Sequence, residues 1–486
     1  MNGARARSGH EPARGDEERE IEIDVIDVLL PCRNFAITYK VADLGKVSLT
    51  SEFLMRLVHS VEGIPEGEAA AYFGFSDSEI AFVVSDLEAL GYLERREGSL
   101  WLTLAGRELF KPGSDTPEIY EVERRSERHG FDLIALAPTE YSSLSPFDAA
   151  LPELPSSPDR VANASHAVRM AFRRHFDSLV RRATNAPLKQ SLYSVDSVTA
   201  LNRYATPVPV RVRAKASLPG IVEPDLSEKW TRYDLDDRTD VVESAAAFLK
   251  ACRITSGSYD DVAFQELARV APDALADYYK DGAFRRGSFY REAIRRAGDL
   301  RADRPTILLV GTLFTDRNGG RLKRSIDYAV QRSEKSLAPL FFWHPPGVPS
   351  WGATRRLPLS LDAVRESVSS TESLRRVNSV GITHERPPRH LDKAFDSIAM
   401  SQARVLRLES LEVFLIPDRV AAVLVHVPAT GSTESYPVPL GILSFDPDIV
   451  YRTTQLLSDL VLPLKVIRPA LDVDEFEDAI KASLRT

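Results

Sequence analysis

Side chains able to do acid–base or metal chemistry are thinly spread along this 486-residue chain. Its nine histidines concentrate locally only in WHPP at 343–346 and THERPPRH at 383–390. His384, Glu385 and His390 lack the H-E-x-x-H spacing that brings two imidazoles to one helical face around zinc. A serine nucleophile needs a base and a strained turn that exposes it, and no G-x-S-x-G elbow is present. EPDLSEK at 223–229 has the acids and lysine of a metal-dependent nuclease set, but the wrong spacing. Cys32 and Cys252, the two cysteines, show no partner pattern for zinc and suit a reducing cytosol. No metal and no cofactor is expected, and no catalytic residue is assigned.

Phosphate binding is better represented. Arginine suits it, because the planar guanidinium donates two parallel hydrogen bonds to phosphate oxygens. The window 284–324 holds Arg285, Arg286, Arg291, Arg295, Arg296, Arg301, Arg304, Arg317, Arg321, Lys323 and Arg324 against Glu292, Asp299, Asp303 and Asp316. That surplus of seven positive charges stands in a chain of net charge −8. Phe284, Phe289 and Tyr290 interleave with the arginines, which would permit stacking on bases. A second concentration, Arg169, Arg173, Arg174, Arg181 and Arg182, faces Asp177 alone. Within the window, PTILLVGTLFTDRNGGRLKRSI reads as a strand, a polar loop and a helix start. Thr312, Thr315, Asp316, Arg317, Asn318, Gly319 and Gly320 would then lie beyond the strand's carboxyl end, where open α/β folds bind ligands. Neither Walker A nor G-x-G-x-x-G spacing is present, so an ordinary Gly-rich βα turn is the favoured reading.

The elements that must carry these residues follow from periodicity. IEIDVIDVLL and NFAITYKV read as two short strands. SLTSEFLMRLVHSV, IPEGEAAAYFGF and SDSEIAFVVSDLEALGYL read as three helices, the second closed near Gly74 and the third by Gly91. YLERR, a turn at EGS and LWLT form a hairpin before LAGRELF begins another helix. FDLIALAP is expected as a strand, 166–184 as a helix, PVPVRVRA as an edge strand and 240–300 as mostly helical. In the last third, PTILLVG and LAPLFFWHP read as strands around the helix RLKRSIDYAVQRSEK. LEVFLIPDRVAAVLVHVP reads as a hairpin turning at Pro417-Asp418, and DPDIVYRTTQLLSDLV as a final amphipathic helix.

Residues 48–113, and LEALGYLERREGSLWLTLAGRELF above all, resemble bacterial winged helix-turn-helix modules. The resemblance implies DNA contact through the third helix and the wing. The charges oppose it: 48–111 carries five basic residues against eleven acidic ones. The third helix has Asp77, Glu79, Asp86 and Glu88 and no cation, so it would repel a duplex. Arg95 and Arg96 of the wing remain as backbone contacts, and the acidic module is expected to dock protein or a second copy. Residues 285–465 loosely resemble phospholipase-D-like domains through LFFWHP, LEVFLIPDRVAAVLVHVP and GILSFDPDIVYRTTQLLSDLV. The catalytic H-x-K-x-x-x-x-D is absent, since neither His390-Leu391-Asp392-Lys393 nor His426-Val427-Pro428 matches it. The resemblance therefore implies a domain without its chemistry that holds a phosphate-bearing ligand.

The expected fold is α/β and multidomain: a tail at 1–20, strands plus winged helix at 21–113 and an irregular linker at 114–165. An α/β segment at 166–240, a helical one at 241–300 and an α/β domain at 301–486 follow. No apolar run reaches the length of a membrane span and no secretory signal opens the chain, so a cytoplasmic protein without membrane contact is expected. The functional expectation is a non-catalytic protein that binds DNA or other nucleic acid through its arginines. It would serve as a regulator or as an accessory subunit of a DNA-handling or anti-phage complex. A phosphodiesterase or nuclease-type enzyme and a pure protein scaffold are the alternatives.

Overall fold

The computed structural model describes residues 19–44, 49–112, 115, 117, 120–184, 190–295, 298, 300–331, 340–369, 377–403, 408–468, 479–480 and 482–484. It is a mixed α/β structure with several sheets. In chain order it begins with β1 (Glu20–Leu44), α1 (Leu49–Ser60), β2 (Ile64–Pro65), α2 (Glu66–Phe73) and α3 (Asp77–Ala89). Then come β3 (Leu93–Arg96), β4 (Ser99–Leu102), α4 (Leu104–Glu108), β5 (Tyr120–Asp132), α5 (Pro158–Ala162) and α6 (Ala164–Thr184). The middle holds β6 (Gln190–Lys215), β7 (Val222–Asp225), α7 (Arg232–Asp236), α8 (Thr239–Ala251), β8 (Ile254–Thr255), α9 (Asp260–Val270) and α10 (Pro272–Leu275). It continues through β9 (Tyr279–Lys280), β10 (Ala283–Phe284), α11 (Arg286–Arg295), β11 (Thr306–Val310), α12 (Asp316–Gln331) and β12 (Leu340–His344). The last stretch is α13 (Arg356–Ser369), β13 (Asn378–Thr383), α14 (Arg389–Ala394), β14 (Ser397–Ser401), β15 (Leu411–Ile416) and β16 (Val420–Val427). β17 (Glu434–Ser435), β18 (Val438–Ser444), α15 (Pro447–Val461) and β19 (Leu464–Arg468) complete it. No helix among the described residues is long and apolar enough to cross a membrane.

The chain divides into two interleaved compact units. One comprises Met1–Cys32, Tyr141–Ser157 and Tyr204–Thr486; the other comprises Arg33–Glu140 and Pro158–Arg203. The expected pair of short strands at the start is one 25-residue strand that runs on through Pro31-Cys32-Arg33, since the fixed φ of proline is compatible with extended backbone. PVPVRVRA likewise belongs to the 26-residue β6, which lies between β1 and β7 rather than at an edge. β7 pairs with 211–214, so Pro207 and Pro209 lie outside that ladder.

In the second unit, α1 to α4 and the three-stranded sheet β2-β4-β3 enclose one core of Leu54, Val58, Ile80, Val84, Leu87, Leu93 and Leu100. Local signals fix each boundary here. Gly74 ends α2 at φ 71°, Ser76 and Glu79 form a capping box on α3, and Thr103 caps α4. Gly106 is required by close packing, since a Cβ there would lie 2.0 Å from the Tyr92 carbonyl oxygen. A separate core joins β1, β5 and β6 to α6 through Phe35, Ile37, Tyr39, Phe131, Val168, Phe172 and Phe176. FDLIALAP is not a strand: β5 ends at Asp132. The Asp132 carboxylate accepts hydrogen bonds from the N–H groups of Ile134, Ala135, Leu136 and Ala137, which folds those residues into a turn.

The first unit is built on an eight-stranded sheet of order β11-β18-β16-β15-β12-β13-β14-β19. β12, β13 and β14 are mutually parallel, and the antiparallel steps through β15, β16 and β18 bring β16 and β11 into the same direction. The hairpin turns at Pro417-Asp418 as expected, with Asp418 at φ 59°. α9, α11 and α15 cover one face of the sheet and α12 and α13 the other. α15 is not the last element, since β19 follows it. Both faces are therefore buried, which is why the strands read as continuous apolar runs.

Candidate nucleic-acid and docking surfaces

The basic window does not form one surface. α11 packs Phe289, Tyr290, Ala293 and Ile294 into the core on one face of the sheet. α12 packs Leu322, Ile326 and Val330 into the core on the opposite face. Most of the guanidinium groups on α11 are engaged locally. Arg286 lies 2.9 Å from Asp261 and over the Phe264 ring, Arg295 is 3.0 Å from Glu292, and Arg291 donates to the Gly287 carbonyl at 3.2 Å. Arg285 reaches Asp281 at 3.8 Å in open solvent. Arg296 lies outside the described residues.

On α12, Arg321 is 3% exposed and donates to the Gly298 carbonyl, so its head group serves the fold. Arg317, Lys323 and Arg324 are exposed. The expected polar loop at 316–320 is the first turn and a half of α12, which begins at Asp316. The Asp316 carboxylate lies 2.7 Å from Arg211 and 2.6 Å from Arg356, inside a cluster with Glu22 and Glu228. Desolvation raises the Glu22 pKa there. The aromatic residues do not offer rings to bases. Phe289 and Tyr290 are buried, the Tyr290 hydroxyl donates to the Ala216 carbonyl, and Phe284 stacks on Phe264 at 4.5 Å. Their positions place Phe289 and Tyr290 on the core side of α11, while Phe284 belongs to β10.

The wing arginines are neutralised within their own module. Arg95 donates to both Glu66 carboxylate oxygens at 2.8 and 3.0 Å and to Glu88 at 2.6 Å. Arg96 pairs with Glu94 and lies over the Trp101 ring. α3 presents Phe82 to solvent at 75% exposure, with Glu79 and Asp86 beside it.

α6 is the contrast. Its inner side supplies Val168, Ala171, Phe172 and Phe176 to the core, while Arg173 and Arg174 are exposed and make no ion pair among the described residues. Arg169 is used by the fold, donating to the Asp196 carbonyl.

The structure gathers a further group of polar residues, of which Asp24 and Glu412 were not singled out from sequence. At the carboxyl ends of β11, β12, β13 and β16 lie Thr312, His344, His384 and His426, and Glu412 at the start of the antiparallel β15 reaches the same edge. Glu412 is fully buried and acts as an acceptor hub. The Trp343 and Trp351 indole N–H groups donate to it at 2.9 and 3.2 Å, and His426 Nε2 lies 2.6 Å away. Asp24 is buried nearby, accepting from Thr312, Tyr436 and the Val25 N–H; burial raises its pKa to about 6.

His344 is buried 5.1 Å, ring to ring, from His384, and desolvation lowers its pKa to about 4. Burial also lowers the pKa of His390, whose Nε2 lies 2.9 Å from the Trp351 carbonyl. The signal in the sequence was a carboxylate interrupting an apolar strand, in IEIDVIDV and LEVFLI. Among the described residues no group of three or more His, Cys, Asp or Glu is placed to hold a metal, and both cysteines are buried free thiols. No family model matches the chain, and no curated protein or solved structure matches it either.

Proposed function

We propose that this chain is a nucleic-acid-associated accessory protein that touches the phosphate backbone through exposed arginines and docks protein through its acidic module. The observation that carries this reading is the pair Arg173 and Arg174 on α6, exposed and without a carboxylate partner among the described residues. Lys323, exposed on α12, adds a further cation. Phosphate contacts of this kind supply affinity without reading sequence.

The helix–strand–helix–helix–hairpin order of 49–102 supports reading that module as a winged helix. Its pairing of Arg95 and Arg96 with its own carboxylates favours assembly as the module's role. We further read the eight-stranded domain as a degenerate phospholipase-D-like fold. His426 faces Glu412 and His390 faces a backbone carbonyl, both engaged structurally, which supports the degenerate character of that reading rather than the fold itself. A pure scaffold is the second reading, favoured by the number of arginines that the chain neutralises itself.

The test is fluorescence anisotropy of labelled duplex and single-stranded DNA, titrated from low to moderate salt. Binding should fall steeply with salt. Arg173→Ala/Arg174→Ala should weaken it and reduce the slope of log K against log salt by about one for each phosphate no longer neutralised. Absence of binding at low salt would overturn the nucleic-acid reading and leave the scaffold.

A further inference from the structure

The second unit displays two exposed stripes of opposite charge. On α3, Glu79, Phe82 and Asp86 are three and four residues apart and so share one face. Asp86 makes no ion pair among the described residues, and two hydrogen bonds from Ser76 hold the Glu79 carboxyl below its ordinary pKa, so it stays ionised. On α6, Met170, Arg173 and Arg174 share a face by the same spacing, and Met170 is 56% exposed. Each stripe is an apolar anchor with charges beside it.

We infer that the acidic stripe of α3 docks on the basic stripe of α6 in a second copy of this chain, head to tail. The Phe82 ring would meet the Met170 thioether, a favourable contact for a soft, polarisable side chain. Asp86 and Glu79 would meet Arg173 and Arg174. Nucleic acid does not suit the acidic stripe, which repels phosphate. A second copy supplies the complement of both stripes in equal number, whereas a single foreign partner would satisfy only one.

The contact is heterologous, so each copy keeps one free stripe of each kind and assemblies grow with concentration. A patch of this size is small by interface standards, which places the affinity on the order of tens of micromolar and makes it salt-sensitive. The inference stands independently of nucleic-acid binding, but the two share Arg173 and Arg174 and would compete for them.

Sedimentation velocity of the full chain, from about 1 to 300 µM at low and moderate salt, tests it over the range such an affinity implies. The weight-average sedimentation coefficient should rise with concentration at low salt and flatten at moderate salt. Phe82→Ala, Arg173→Glu/Arg174→Glu and Ser85→Lys/Asp86→Lys, in which Ser85 is the exposed neighbour of Asp86 on α3, should each abolish the rise. Mixing the latter two proteins should restore a complex, because the intact acidic α3 of one meets the intact basic α6 of the other, and the two reversed stripes complement each other as well. A wild-type chain that stays monomeric, association insensitive to these variants, or a mixture of folded variants that fails to associate would each overturn the inference. Ser85→Lys/Asp86→Lys keeps every arginine, so DNA binding by that variant is judged separately. A wild-type chain that binds DNA but stays monomeric sinks this inference alone, and a wild-type chain that associates but does not bind DNA sinks the other reading alone.

Discussion

At the carboxyl edge of the eight-stranded sheet, Glu412 is wholly buried and takes donors from Trp343, Trp351 and His426. On α6, Arg173 and Arg174 stand in solvent with no ion pair among the described residues. The first arrangement has committed its charge to the fold, while the second has left its charge for something outside it. Arg95 and Arg96 fall between them, exposed like the α6 pair yet neutralised by their own module. Counting charges along a chain does not separate these cases. The separation depends on where each head group finds its partner.

The largest effect should come from the buried edge. Glu412→Ala leaves two indole N–H groups and His426 without their acceptor in a site closed to water, a loss of about 3–5 kcal/mol. Chemical denaturation of the purified chain checks this. A loss below about 1 kcal/mol would mean that the edge is wetter than its burial implies.

The same edge should respond to pH with two opposing slopes. Asp24, whose folded pKa is raised to about 6, binds more protons in the folded state. Its contribution therefore falls as pH rises from about 4 to 6, by about 3 kcal/mol. His344, lowered to about 4, binds fewer protons when folded, so its contribution grows over about pH 4 to 6.5 by a similar amount. Stability of the wild type should thus be nearly flat between pH 4 and 6 as far as these two groups are concerned. Asp24→Asn should make it rise with pH, and His344→Gln should make it fall. Melting temperatures across that range decide it, and identical profiles for both variants would remove the opposition.

The exposed pair gives a smaller effect in free energy but a clear one in binding. Arg173→Glu/Arg174→Glu should weaken DNA binding at low salt by roughly ten- to a hundredfold, since it both removes and reverses two phosphate contacts. Arg95→Glu/Arg96→Glu should change it less than about threefold, because those guanidinium groups are already neutralised. Equal losses in both variants would collapse the distinction between committed and free arginines.

How much of this was legible depended on how local each signal was. The boundaries of α2, α3 and α4 are written in Gly74, Ser76 with Glu79, and Thr103, each acting within a few residues. Asp418 marked its hairpin in the same way. The interleaving of the two units was not legible, because it rests on contacts between residues more than a hundred positions apart, such as Thr312 with Asp24. The basic window misled for the same reason. Its arginines are neighbours in sequence, but α11 and α12 pack on opposite faces of one sheet, a fact no local pattern carries. Asp24 and Glu412 were visible as acids inside apolar runs, but their partners came from distant strands.

The smallest predicted effect is the most discriminating for the middle case. Arg95→Ala leaves Glu66 and Glu88 at 25% and 31% side-chain exposure, both reachable by water. Ion pairs in that setting contribute up to about 1 kcal/mol, because solvent screens the attraction and ordering long side chains opposes it. The module should therefore unfold at nearly the wild-type denaturant concentration, and high salt should erase most of the remaining difference. If Arg95→Ala instead destabilised the module as severely as a buried substitution, the arginine would be a structural keystone. The wing would then belong with Glu412 rather than between the two extremes, and its acidity would be a packing requirement instead of a surface kept for a partner.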